Sequence, residues 1–73
     1  MKMYHHKLKS SSIEHIDYHP TKDTLEIKFT SGLIYHYPNC PIEHYHALKE
    51  AESVGKYFSQ NIRKQFDGVK VYK

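Results

Sequence analysis

Histidine is the residue type of this chain with the most capacity for chemistry, and there are seven. A metal site needs two or more ligands that converge, often at i and i+4 on one helix face. His44 and His46 are two positions apart and lie about 200° from each other around a helix, so they cannot chelate one ion together. No carboxylate–histidine spacing in the sequence matches a known site. We therefore expect no metal, and we interpret the histidines as scattered surface residues.

Cys40 is a second reactive side chain, and it comes directly before Pro41 at a predicted helix N-terminus, where a thiolate would be stabilised. His36 and His44 are close enough in sequence to make a Cys–His pair conceivable. No third, orienting group is identifiable, which favours a small buried or half-buried residue near the helix start. We predict no catalytic residues and a protein that is not an enzyme. A single cysteine also excludes an internal disulfide and a cysteine-based zinc cage.

Basic side chains are the third group, and several fall in the half of the chain that is predicted to be helical. The chain has 11 Lys and Arg residues against 8 acidic ones, a net charge of +3 that suits nucleic acid but is common in other domains. The residues predicted to contact a nucleic acid are Lys49, Lys56, Arg63 and Lys64, helped by His36 on the sheet. An ordinary solvated helix surface is the alternative, because Arg63 is the only arginine and arginine usually supplies bidentate phosphate contacts.

Tyr35-His36-Tyr37 is an aromatic triplet with two interpretations. Exposed tyrosines on one strand can form a platform on which unpaired bases stack, contributing about 1–3 kcal/mol per base. Alternatively, both tyrosines face the helices and fill the core, with their hydroxyls reaching partners at its edge. Leu33 shares their face and large apolar residues are few, which favours the core interpretation. His36 then points outward beside Ile34.

The clearest strand that positions these side chains is residues 24–30, where apolar and polar residues alternate without error. Residues 33–37 form the next strand after a tight turn at Ser31-Gly32, in which Gly32 supplies a positive φ. Such a short link makes the two strands antiparallel neighbours.

An earlier strand over residues 11–18 is irregular, because Ile13 and Ile16 have opposite parity and cannot share one face of a regular strand. A β-bulge, or burial on both faces, would reconcile them. A turn over residues 19–23 joins this strand to the next, since Pro20 fixes φ there. The three strands therefore form an antiparallel meander.

The second half of the chain is predicted to be helical. Apolar residues recur at helical spacing over residues 41–51 and again over 56–66, with Ser53-Val54-Gly55 ending or kinking the first helix. The two helices cover one face of the three-stranded meander in an α+β fold, and residues 69–72 can add a short C-terminal edge strand. The predicted core comprises Ile16, Leu25, Ile27, Phe29, Tyr35, Tyr37, Tyr45, Leu48, Ala51, Phe58 and Ile62.

Length and composition limit the chain to one small domain. We expect residues 1–10 to be a flexible lead-in and residues 11–73 to form the domain. An aromatic content of 14% excludes a disordered chain. The longest apolar run is too short for a transmembrane helix or a signal peptide, and we expect a cytoplasmic protein.

Taken in order, several residues form a pattern that is familiar as a set. The pattern consists of Ser11-Ser12-Ile13, Tyr18, Leu25-Glu26-Ile27-Lys28-Phe29, Ser31-Gly32, Tyr35-His36-Tyr37, Pro41, Tyr45, Leu48, Ala51, Ser53-x-Gly55, Lys56-Tyr57-Phe58 and Ile62. Over residues 10–66 it resembles the KTSC domain, a module found at the C-terminus of some lysyl-tRNA synthetases and as small stand-alone proteins of bacteria and phages. The sequence departs from that pattern at Ser59, where the family typically has Asn, and at Cys40, which replaces an aliphatic residue.

The resemblance implies RNA binding, which has been suggested for this family without an established mechanism. Our leading hypothesis is therefore a non-enzymatic module that binds RNA or another polyanion, with no cofactor and no membrane contact. The alternative is a protein-interaction or assembly component, such as a small phage or prophage protein. Salt-sensitive binding to RNA distinguishes the first hypothesis from the second.

Overall fold

The sheet of this protein has more strands than the sequence predicts. In the computed structural model, which describes residues 3–71, five antiparallel strands form one sheet in the order β1-β2-β3-β4-β5. The strands are β1 (Tyr4–Lys7), β2 (Ile13–His19), β3 (Thr24–Phe29), β4 (Ile34–Tyr37) and β5 (Val69–Val71). One face is covered by α1 (Ile42–Glu50), α2 (Val54–Tyr57) and a π-helical segment (Phe58–Ile62) that continues α2. The fold is α+β as predicted, but the three-stranded meander is corrected to five strands.

The two additional strands lie at the edges of the sheet. β1 pairs with β2, with His5 opposite Asp17, and lies within residues 1–10, where the sequence predicts a lead-in rather than a strand. Its four residues, YHHK, show no apolar alternation, so the strand carries no periodic signal. β5 pairs with β4 through Val69–Val71, which confirms the short C-terminal edge strand. Tyr72, the last residue of that predicted strand, lies outside the described residues.

A shift of register between Ile13 and His15 marks a β-bulge in β2, which is one of the two arrangements that the sequence left open. The bulge lets both Ile13 and Ile16 reach the core, where each is fully buried. Beyond it β2 alternates regularly, with Ile16 and Tyr18 toward the helices and Asp17 away from them. The side away from the helices, which we call the outer face, carries His5, His15, Asp17, His19, Glu26, Lys28 and His36.

The core lies between the sheet and the helical segments. Phe58 packs edge-on against Phe29 with 5.4 Å between ring centroids, and Tyr45 contacts Tyr18 with 6.1 Å between centroids. The Tyr18 hydroxyl donates a hydrogen bond of 2.6 Å to the carbonyl oxygen of Cys40, which satisfies it in the interior. The buried apolar side chains include Ile13, Ile16, Tyr18, Leu25, Ile27, Tyr37, Cys40, Tyr45, Leu48, Phe58 and Ile62.

The predicted core is correct for most of its members and is corrected at three. Phe29, Tyr35 and Ala51 are half-buried and not fully enclosed. Phe29 and Tyr35 keep part of their surface toward an open groove, and Ala51 lies in the link after α1. Ile13, Tyr18 and Cys40 belong to the core although the prediction omitted them. The hydrogen bond from Tyr18 to Cys40 joins β2 to the start of α1 in the interior.

The link between α1 and α2 is residues 51–53, slightly earlier than the predicted break. Ser53 is the N-cap of α2, and its hydroxyl accepts a hydrogen bond of 3.4 Å from the backbone N–H of Lys56. Gly55 lies inside α2, where a Cβ would come within 3.0 Å of the Ser12 hydroxyl oxygen, so glycine permits this close approach. Within residues 3–71, the helices are too short and too polar to cross a lipid bilayer.

The π-helical segment changes where the second helical stretch ends. The backbone N–H of Arg63 donates to the carbonyl of Phe58, five positions earlier, over 2.9 Å. The second helical stretch, predicted over residues 56–66, runs from Val54 to Ile62 in the structure. It starts two residues earlier than predicted and ends four residues earlier. Such wide turns occur often beside functional sites, where they redirect a side chain.

Candidate functional site

Four aromatic rings close a cycle on the helix-facing side of β3 and β4. Tyr35 and Tyr37 stack with 6.4 Å between centroids and 25° between their planes. Phe58 meets Tyr37 edge-on at 5.7 Å, and Phe29 meets Phe58 and Tyr35 edge-on at 5.4 and 5.8 Å. Tyr37 and Phe58 are buried, whereas Phe29 and Tyr35 are half-buried. The cycle therefore joins the core to the surface, with two rings on each side.

The two half-buried rings line an open groove with a volume of about 480 Å³. We call it the aromatic groove, and its lining residues are Ser11, Ser12, Phe29, Thr30, Ser31, Leu33, Tyr35, Tyr37, Phe58 and Arg63. Leu33, which is 41% exposed, extends the apolar wall outward. A volume of this size accommodates a ligand as large as a nucleotide, since pockets for small molecules span about 300–1,000 Å³.

Hydrogen bonds between two loops hold the polar part of the aromatic groove in place. The Thr30 hydroxyl donates to the carbonyl oxygen of Ser11 over 3.1 Å, and its backbone N–H donates to the carbonyl oxygen of Ser12 over 3.0 Å. These bonds tie the segment before β2 to the β3–β4 turn. The two hydrogen bonds restrict the motion of this part of the groove wall, which lowers the ordering cost of binding.

Arg63 supplies the positive charge of the aromatic groove. It follows the π-helical segment directly, and its side chain is exposed. Burial raises the pKa of the Tyr37 hydroxyl and Tyr35 raises it further, while the nearby Arg63 guanidinium acts in the opposite direction. In the described part of the chain, no carboxylate lies within ion-pair distance of Arg63. Its guanidinium is therefore available to an anionic ligand.

A second hollow, of about 500 Å³, lies at the other end of the sheet, between the β2–β3 turn and the start of α1. Asp23 and Glu43 place carboxylates in its lining beside Tyr18. Burial raises the pKa of the Tyr18 hydroxyl, and the negative charge of Asp23 raises it further. This acidic lining repels a polyanion, so the hollow does not suit nucleic acid.

Histidines and carboxylates gather on the outer face, contrary to the expectation of scattered surface histidines. His5 Nδ1 lies 2.5 Å from Asp17 Oδ1, and His15 Nε2 lies 3.5 Å from Asp17 Oδ2. On the neighbouring strands, His36 Nε2 lies 2.6 Å from Glu26 Oε1. Each cluster has the ligand types that bind divalent transition metals.

Cys40 has no reactive environment. Its side chain is fully buried, and burial raises the pKa of its thiol to about 11. The thiol is therefore protonated at neutral pH, which removes the thiolate that nucleophilic chemistry requires. The interpretation of Cys40 as a small buried residue near the start of α1 is confirmed.

Comparison with known proteins supports one family over most of the chain. Residues 9–66 match the description of the KTSC domain. The chain belongs to the KTSC domain family. The crystal structure of a KTSC domain protein from Yersinia pestis superimposes with a TM-score of 0.86 and 30% sequence identity, covering 97% of this chain and all of that one.

Two curated relatives show the settings in which similar sequences occur. An uncharacterised protein of Stutzerimonas stutzeri is 41% identical over 58 residues, which are 80% of this chain and 82% of that protein. A lysine–tRNA ligase of Nostoc is 40% identical over 60 residues, which are 82% of this chain. The match spans 11% of the ligase, so the similarity concerns a segment of that enzyme.

Most of the residues that line the aromatic groove belong to the KTSC pattern. Within the described residues, seven of the ten that line the groove belong to the pattern by which the sequence resembles the family: Ser11, Ser12, Phe29, Ser31, Tyr35, Tyr37 and Phe58. The sequence alone placed Tyr35, Tyr37 and Leu33 on one face but did not connect them with Ser11 or Arg63. Ser11 and Ser12, directly before β2, were the sequence feature that could have indicated the groove.

The structure separates the residues that the sequence predicts to contact nucleic acid. Arg63 lines the aromatic groove, and Lys64 is the exposed residue next to it. His36 lies on the outer face, because it is the register partner of Glu26, whereas Tyr35 and Tyr37 point to the helices. The sheet therefore stands between His36 and the groove.

The other two predicted lysines lie elsewhere on the helical layer. The Lys49 ammonium is 5.4 Å from the centroid of the Tyr45 ring, in the last turn of α1, over the half of the sheet formed by β1 and β2. Lys56 is exposed on α2. Neither residue lines the aromatic groove.

Proposed function

We propose that this KTSC domain is a non-enzymatic module that binds single-stranded RNA in the aromatic groove. The observation that carries the proposal is the combination, at one groove, of two half-buried aromatic rings with an arginine that has no ion-pair partner among residues 3–71. Unpaired bases stack on such rings with about 1–3 kcal/mol per base. The proposal places this activity in the cytoplasm.

In this proposal, Tyr35 and Phe29 contact a base and Arg63 contacts the adjoining phosphate. Guanidinium groups bind phosphate oxygens in a bidentate manner, which gives one arginine a large effect. The hydroxyl groups of Ser11 and Ser31 line the same groove and offer hydrogen bonds to base edges or to a ribose 2′-hydroxyl.

Lysines around the groove extend the contact to further phosphates. Lys64 adjoins Arg63 in sequence and is exposed. Lys70 on β5 is the register partner of Tyr35, so it lies on the same side of the sheet as the groove. Lys49 and Lys56 reach phosphates only if the strand continues across the helical layer. The similarity to a segment of a lysine–tRNA ligase supports an RNA ligand.

The test is titration of the isotope-labelled protein with a mixed-sequence single-stranded RNA at low and at high salt. We expect the largest shifts of amide signals at Leu33, Tyr35 and Arg63. Tyr35→Ala should weaken binding about tenfold, the loss of one stacked base. Arg63→Ala should weaken binding and reduce the slope of log affinity against log salt by about one.

Lys22→Ala is the matched control, because it also removes one positive charge. Lys22 is exposed in the β2–β3 turn, at the end of β3 away from Ser31. The proposal predicts little effect of this substitution. Equal losses for Lys22→Ala and Arg63→Ala would show non-specific attraction, and unmoved groove signals at low salt would reject the proposal.

A protein ligand is the second candidate, favoured by the exposed apolar surface of Leu33. The aromatic groove would then hold an apolar side chain of a partner protein, as an assembly component requires. Such binding is insensitive to salt and is weakened by Leu33→Ser but not by Arg63→Ala.

A further inference from the structure

Three strands bring two imidazoles and one carboxylate together on the outer face. His36 on β4 is the register partner of Glu26 on β3. His19 on β2 pairs with Thr24, two residues before Glu26, so His19 is a diagonal neighbour of Glu26 on the same face. We propose that His19, Glu26 and His36 form a binding site for one divalent transition-metal ion of the Zn²⁺ class.

The distances among the three side chains suit a shared ion. His36 Nε2 and His19 Nε2 lie 2.6 and 3.7 Å from the same carboxylate oxygen, Glu26 Oε1. The ligand atoms of the three residues all lie within 4.8 Å of one another. Tetrahedral zinc with bonds of about 2.0–2.1 Å separates its ligand atoms by about 3.3 Å, so small side-chain rotations complete the geometry.

A buried nitrogen without a partner points into this cluster. His19 Nε2 is inaccessible to solvent and, among the described residues, has no hydrogen-bond partner. Buried polar atoms of native proteins nearly always have one, and an ordered water or a bound ion is the usual explanation of an exception. A metal ion beside Glu26 Oε1 takes the lone pair of this nitrogen and satisfies it.

The neighbouring cluster of His5, His15 and Asp17 is a weaker candidate. Each oxygen of Asp17 is already close to one imidazole, and the His5 side chain on the edge strand is 55% exposed. Asp17 nevertheless assists the proposed site, because it is the register partner of Glu26 and adds a second negative charge beside the ion.

The chemistry of the site is set by its donor atoms. Two imidazoles and one carboxylate are ligands of intermediate hardness, which favour Zn²⁺, Co²⁺ or Ni²⁺ over Mg²⁺ or Ca²⁺. Three protein ligands leave a position for water, and the three side chains are each partly exposed. The ion would join three strands across the outer face, and the aromatic groove lies on the opposite side of the sheet, so this inference is independent of the proposed function.

The test is metal titration of the full chain, prepared without an affinity tag and stripped with a chelator. Calorimetry with Zn²⁺ should show saturation at one tightly bound ion per chain. Co²⁺ should give the visible absorption that is typical of a four-coordinate site. Imidazole signals of His19 and His36 should move in the nuclear magnetic resonance spectrum. His19→Ala, His36→Ala and Glu26→Gln should each weaken binding about tenfold or more.

His46→Ala and His5→Ala are the controls. His46 is exposed on α1, and His5 belongs to the neighbouring cluster, so the tight site should survive both substitutions. Thermal unfolding in the presence of chelator should show that His36→Ala and Glu26→Gln remain folded. Absence of saturable binding, or equal weakening by His46→Ala and His36→Ala, would overturn the proposal. Loss of the tight site in His5→Ala would assign the ion to the other cluster and would also overturn it.

Discussion

Asp17 on β2 and Glu26 on β3 are register partners, so two carboxylates stand directly opposite each other on the outer face. Like charges in this position destabilise a sheet by about 0.2–1 kcal/mol. Here each carboxylate is in contact with imidazoles: His5 and His15 beside Asp17, and His36 beside Glu26. The imidazoles of His5 on β1 and His36 on β4 therefore offset the repulsion between the carboxylates of Asp17 on β2 and Glu26 on β3.

Asp17→Asn should destabilise the protein by about 1–3 kcal/mol, because Asp17 is buried and the amide can accept at one position only. The measurement is urea denaturation in the presence of a chelator. Glu14→Gln is the control, since Glu14 forms a partly exposed ion pair with Lys28 at 3.3 Å that contributes no more than about 1 kcal/mol. A loss for Asp17→Asn no larger than that for Glu14→Gln would contradict the structural role of Asp17.

Phe58→Ala should cost about 3–5 kcal/mol, because the ring is 7% exposed and contacts both Phe29 and Tyr37. In a domain of this size such a loss lowers the melting temperature by more than about 10 °C. Phe29→Ala should cost less, since Phe29 is only half-buried. Thermal unfolding followed by circular dichroism gives the order, and Leu33→Ala, at an exposed position, should melt close to the wild type.

Gly68→Ala should destabilise the protein by about 1–3 kcal/mol through overpacking. A Cβ at Gly68 would lie 2.6 and 2.8 Å from Cε1 and Cζ of Tyr37, a ring that is 4% exposed and cannot move freely. The same substitution should shift the ring signals of Tyr37 in the nuclear magnetic resonance spectrum. Asp67→Ala, at the exposed adjacent position, should change stability by no more than about 0.5 kcal/mol. Unmoved Tyr37 signals in Gly68→Ala would contradict the contact.

Stability should fall with rising pH in the alkaline range, in part because of Cys40. Burial raises the pKa of its thiol from 9.0 to about 11, so the unfolded chain loses this proton first. Between these two values the unfolded state binds fewer protons than the folded state, and unfolding becomes easier as pH rises. The Tyr18, Tyr37 and Tyr45 hydroxyls, whose pKa values burial also raises, contribute in the same direction.

Cys40→Ala separates the thiol from the tyrosines, because it removes one titrating group and leaves the others. Urea denaturation at a series of alkaline pH values should show a smaller loss of stability in Cys40→Ala than in the wild type. Parallel curves for the two proteins would show that the thiol is not buried from solvent in the folded state.

The sequence by itself determined the central hairpin and the irregularity of the strand before it. The alternation over residues 24–30 and the turn glycine are local properties, and β3, β4 and a φ of +98° at Gly32 follow from them. The opposite parity of Ile13 and Ile16 likewise required an irregular β2, since both residues are apolar enough to be buried. The ordered pattern of small motifs was sufficient for the KTSC family.

Only the tertiary structure decided which polar residues meet. His5, Asp17, Glu26 and His36 form one row across four strands, and this row depends on the register of each strand pair. A linear spacing carries no information on register, so the search for metal ligands along one helix or strand could not find the clusters. β1 could not be predicted for a related reason. Backbone hydrogen bonds to β2 hold this edge strand, so its side chains do not have to alternate between apolar and polar.

For the aromatic groove, too, the sequence predicts some features and the tertiary structure decides others. The alternation of residues 33–37 placed Tyr35 and Tyr37 on one face and favoured the core for both, and charge alone made Arg63 a candidate contact for an anion. That Tyr35 stays half-buried beside Ser11, Leu33 and Arg63 depends on where the π-helical segment ends and how far the helices extend over the sheet. Alternation assigns a side chain to a face, whereas exposure on that face depends on the elements packed against it.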